Sequence, residues 1–89
     1  MMYPYMKFAN DVEITHSHLL INNNKHEIEV HFEQPTDYGF KTARCSLPSY
    51  TWLIADGFSS MEIGEFEIFL QNHAHLLFKY AETGGVKIA

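Results

Sequence analysis

The chain has 89 residues, 46% of them hydrophobic, and a formal net charge of -5. That length fits one domain, and seven Phe, five Tyr and one Trp supply a core that a disordered chain lacks. The six basic residues, Lys7, Lys25, Lys41, Arg44, Lys79 and Lys87, are scattered, whereas binders of nucleic acid or anionic lipid present a basic stripe, so both partners are disfavoured.

Cys45 is the only cysteine, which excludes an internal disulfide and points to a reducing compartment, the cytoplasm. No run approaches the ~18 apolar residues of a membrane-spanning helix. Residues 1–8 lack the apolar stretch of a signal peptide. Residues 1–6 read as a flexible N-terminal arm, and 7–89 as a single domain.

Residues 12–21 read as a strand rich in β-branched and aliphatic side chains. Asn22, Asn23, Asn24 and Lys25 form a turn, because Asn tolerates the left-handed backbone that tight hairpins need. Residues 26–33 alternate Ile28, Val30 and Phe32 with Glu27, Glu29, His31 and Glu33, a strand with one buried and one wet face. Residues 34–39 contain Pro35, Asp37 and Gly39 and read as a loop. Residues 40–47 form a third strand with Ala43, Cys45 and Leu47 on one face. After Pro48, residues 50–55 form a fourth strand, or a short helix opens at Pro48.

Ser59 with Glu62 three residues later is a capping box, and the helix it opens runs from there to Glu82, stopped by Gly84 and Gly85. At about 100° per residue, Ile63, Phe66, Phe69, Leu70, His73, Leu76, Leu77 and Tyr80 share one face. Val86 to Ala89 is an apolar tail that either adds a short edge strand or stays loose. The fold expected is α+β: a two-layer sandwich in which an antiparallel meander of three to four strands is followed by one long C-terminal helix packed on one sheet face.

Six histidines are the unusual feature. His16 and His18 alternate within a strand, about 7 Å apart on one face. The hairpin loop then decides what they meet. An even loop sets His16 opposite His31 and His18 opposite Glu29, a cluster of His16, His18, His31 and Glu29 that suits a divalent transition metal such as zinc or nickel. An odd loop slips the register by one and turns His16 and His18 to the core face, with Val12, Ile14 and Leu20. His73, at the centre of the apolar stripe, reads as a buried histidine bonded to a sheet carbonyl or hydroxyl, and Cys45 as a buried thiol.

Ile68, His75 and Phe78 fall on the helix side away from the stripe, where the domain's own core does not account for an Ile and a Phe. The leading expectation is a non-enzymatic interaction module without a cofactor, partnered by a second copy of itself as a homodimer or by another protein, through this side of the helix or the free face of the sheet. The alternative is a protein that binds a metal or small ligand through the histidine cluster.

Overall fold

The computed structural model of the protein describes residues 1–84, so the apolar tail lies outside the described residues. The elements are β1 (Met2–Lys7), β2 (Glu13–Ser17), β3 (Leu20–Asn22), β4 (Lys25–Thr36), β5 (Gly39–Leu47), β6 (Thr51–Asp56) and α1 (Ser60–Thr83). The fold is α+β: an antiparallel sheet in the order β1-β2-β4-β5-β6, with β3 also paired to β4, and one C-terminal helix. The sheet has six strands where three to four were expected: one is added at its N-terminal edge, and the first expected strand is divided in two.

Residues 1–6 are not a loose arm. Met2–Lys7 is an edge strand paired with β2, from Met2 opposite Ser17 to Lys7 opposite Glu13. Its pattern is hard to read because the register shifts between Pro4 and Met6, which breaks the period-two alternation that identifies a strand. Pro4, without an N–H, is tolerated on an edge. The proposed loop at 34–39 shrinks to Asp37 and Tyr38, since β4 continues to Thr36, opposite Gly39. Pro35 lies past Glu33, where β2 ends, so one side of β4 has no neighbour there.

The strand expected at 12–21 is broken into β2 and β3. Asn23 (φ 51°) and Asn24 (φ 64°) make the two-residue turn between Asn22 and Lys25. Both take the left-handed backbone of a type I′ hairpin.

Ile28, Val30 and Phe32 of β4 and Ala43, Cys45 and Leu47 of β5 are fully buried beneath α1, which contributes Phe66, Leu70, Leu77 and Ala81. Phe32 and Phe66 stack across the two layers with ring centroids 4.3 Å apart and planes 8° from parallel. Phe58 closes one end with its edge against Phe66 at 5.0 Å. The capping box is present: Ser59 Oγ accepts from Glu62 N at 3.1 Å, and Glu62 Oε1 accepts from Ser59 N at 2.9 Å. At the other end Gly84 adopts φ 82° and donates its N–H to Tyr80 O.

The buried line of α1 is rotated relative to the expected stripe. Ala74 and Phe78 pack against the core, while His73 and Leu76 sit at its margin, half-buried. The small side chains of Ala74 and Ala81 allow this side of the helix to approach the sheet, and Phe78, between them, is drawn in. No helix among the described residues is long and apolar enough to cross a membrane.

Candidate functional site

The fate of the histidines is decided by a bulge. Beside the turn, Leu20 faces Glu27; farther on, His16 faces Val30. Four steps along β2 and β3 therefore match three along β4, and one extra residue is accommodated around His18. The loop is even, yet the register beyond the bulge is that of an odd loop. His16 accordingly turns into the core and is fully buried. His18 stays exposed in the bulge, and His31 occupies the outer face of the sheet.

The bulge is tied down by side chain and helix. Ser17, 6% exposed, accepts from Glu29 N at 3.0 Å and donates its hydroxyl to His18 O at 2.8 Å. It thereby supplies the partner that Glu29 loses where the backbone ladder is interrupted.

Around His16 the two layers bring together a cluster of rings. His16 Nδ1 donates to Ser17 O at 2.8 Å. A carbonyl only accepts, so Nδ1 carries a proton, while the buried Nε2 has no partner. Tyr3 and Tyr5 of β1 lie against the ring, at centroid distances of 5.6 and 6.3 Å. Tyr5 continues to the helix, where its hydroxyl is hydrogen-bonded to His73 Nδ1 at 2.6 Å. The sheet hydroxyl expected for His73 is thus the one on β1. Burial, and then Tyr80 nearby, raise the Tyr5 pKa above its ordinary value. The cluster is packed ring to ring, with Phe69 stacked on His73 at 4.2 Å, and it pins the edge strand to the helix.

The outer sheet face carries the remaining polar groups. His31 Nε2 donates to Glu29 Oε1 at 2.7 Å. With His16 on the opposite face and His18 in the bulge, the set His16, His18, His31 and Glu29 is not assembled: only the last two meet. Among the described residues no group of three or more His, Cys, Asp or Glu side chains is placed to hold a metal ion. Glu13 lies opposite Glu33, and His31 opposite Arg44. Arg44 has no carboxylate within 4.0 Å among the described residues, and its buried Nε has no partner. A cleft of about 220 Å³ opens between Lys7, Asp11, Glu13, Glu33, Pro35 and Phe40. It is smaller than the roughly 300 Å³ at which ligand pockets begin.

The outward face of α1 is the third candidate. Of the three residues expected there, Ile68 is 60% exposed and His75 is exposed. Phe78 is half-buried against the core instead. Met61, 76% exposed, takes its place on the outward face. It precedes Ile68 by two helical turns, a seven-residue spacing that was legible in the sequence. Cys45 is buried and unpaired. Its thiol is pushed up to about 12 by burial first and the Glu67 carboxylate second, which leaves it without nucleophilic character.

No protein-family model matches the chain, and neither curated proteins nor solved structures give a match. The functional reading therefore rests on the geometry.

Proposed function

We propose that the protein is a non-enzymatic interaction module that self-associates through the outward face of α1. The observation that carries this reading is the exposure of Met61 and Ile68, 76% and 60%, in line on a helix whose other side is fully engaged with the sheet. Isolated exposed apolar residues mean little, but two large ones aligned at helical spacing form a contact ridge.

The uncovered sheet face is the competing surface, and its charge disfavours self-association. Glu13, Glu29 and Glu33 lie on it with Arg44 and Lys7, and two copies pressed together there would have to desolvate this mixed set of charges. The buried, unpaired Cys45 suits a reducing compartment such as the cytoplasm.

Sedimentation velocity at micromolar concentration tests the reading. The wild-type chain is expected to sediment as a dimer and Ile68→Glu as a monomer. A wild-type chain that remains monomeric at 100-fold higher concentration would remove the proposal. Ile68→Glu is the cleaner probe than Phe78→Glu, since Phe78 also packs against the core.

A further inference from the structure

We infer that the occupant of this helix face is a second copy of the chain, bound antiparallel about a twofold axis beside Asn72. The inference rests on the self-association reading and adds the orientation and register of the contact.

The helix has 24 residues, about 36 Å at 1.5 Å per residue. Its outward side carries Met61, Ile68, His75 and Glu82 at seven-residue intervals, flanked by a second row, Glu65, Asn72 and Lys79, at the same interval. Seven-residue spacing keeps both rows facing a partner helix along its length. The flanking row is polar and changes sign along the helix, with a carboxylate at one end, an amide in the middle and an ammonium at the other.

That row decides the orientation. In a parallel pair Glu65 meets Glu65 and Lys79 meets Lys79, two like-charge contacts. In an antiparallel pair centred on Asn72, Glu65 of each copy meets Lys79 of the other, twice by symmetry, and the two Asn72 amides face each other, each able to donate and accept. Neither Glu65 nor Lys79 has an ion partner within 4.0 Å among the described residues, so both are available. The same register drops Ile68 of one copy between His75 and the uncovered edge of Phe78 of the other, a knob entering a hole. Half-burial of Phe78 then has a use on both sides: one edge in its own core, the other against the second copy.

The assembly is a four-layer body, sheet-helix-helix-sheet, with the uncovered sheet faces outermost.

Sedimentation equilibrium of the full chain at low salt tests the proposal with Ile68→Glu, Glu65→Lys, Lys79→Glu and the double reversal Glu65→Lys/Lys79→Glu. Each single reversal turns two attractive contacts into two repulsive ones and should raise Kd roughly tenfold, given the modest strength of exposed pairs. The double reversal should restore Kd to within about twofold. A double reversal no tighter than the single ones overturns the antiparallel register. A dimer that survives Ile68→Glu places self-association on another face and overturns both the helix pairing and the helix-face reading, whereas a failed double reversal with a monomeric Ile68→Glu overturns the register alone. A monomeric wild-type chain overturns both. Far-UV circular dichroism confirms that each variant is folded, and Ile68→Gln repeats the helix-face test with a smaller change.

Discussion

The backbone N–H of Leu19 donates to the carbonyl of Ala81 across 3.3 Å, joining the bulge between β2 and β3 to the last turn of α1. Each end of this bond needs the other. The bulge frees an N–H from the sheet ladder, and the last four carbonyls of a helix have no partner within it. Ser17 serves the same bulge from the sheet side by accepting from Glu29 N. Ser17→Ala leaves that N–H without a partner in a site from which water is largely excluded. A loss of about 1–3 kcal/mol is expected, read as a shift of the urea midpoint at constant m value. A change within 0.3 kcal/mol would mean that the bulge finds another partner for Glu29.

The fold class was legible because its strongest signals are local. The alternation in Ile28, Val30 and Phe32, and the pairing of Ser59 with Glu62, each follow from short-range geometry, and both appear in the structure. What escaped is what depends on a partner distant in the chain. Tyr3 and Tyr5 become strand residues because Glu13–Ser17 offers an unpaired edge and the helix offers His73. Nothing within residues 1–6 announces either. The histidine cluster failed for a related reason. Hairpin parity sets the faces only as far as the register is unbroken; an extra residue at the bulge resets it, and a single slip moves every side chain beyond it to the other face. On the helix, the outward position of Ile68 could be read from spacing. The inward rotation that takes Phe78 depends on how closely Ala74 and Ala81 approach the sheet.

The capping box gives a prediction with a pH signature. Hydrogen bonding to the Ser59 backbone and side chain, with Lys41 as a smaller aid, holds the Glu62 carboxyl below its ordinary pKa against a modest opposing effect of burial. A carboxyl whose folded pKa is depressed adds stability that is present above its unfolded pKa, about 4.3, and is lost as pH falls through the lower folded pKa. Ser59→Ala is expected to cost about 1 kcal/mol at pH 7, while Glu62→Gln, which can still accept from Ser59 N but cannot titrate, should flatten the fall in stability below about pH 4.3. Thermal melts across that range measure both effects. An unchanged acid limb in Glu62→Gln would assign it to other groups.

Gly64 lies within the first turns of α1, and a Cβ built on it meets nothing within 4 Å. Its backbone is helical, so glycine there adds freedom to the unfolded chain without easing any strain in the folded one. Gly64→Ala is expected to raise stability by about 0.5–1 kcal/mol, measured by denaturant midpoint. A loss of stability would show that the helix start needs the absent side chain.

Cys45 reports on opening of the core. Its side chain is fully buried between the sheet and α1, and its thiol is pushed up to about 12, from 9.0, by burial and then by Glu67. In the native chain almost no thiolate exists at pH 8, so a disulfide reagent should modify Cys45 only through unfolding, at a rate that rises with urea in step with the unfolded fraction. The raised pKa has a second consequence. Stability due to the neutral thiol is complete below the unfolded value near 9 and declines as pH climbs from there through about 12. Tyr5, raised by burial, adds to the same alkaline decline only above its own ordinary value near 10. Cys45→Ala should therefore lose less stability between pH 8 and 10 than the wild-type chain does, a comparison made from urea midpoints at the two pH values. Rapid modification in the absence of urea, or an alkaline decline identical in the two chains, would show that the thiol reaches solvent without the sheet and helix parting.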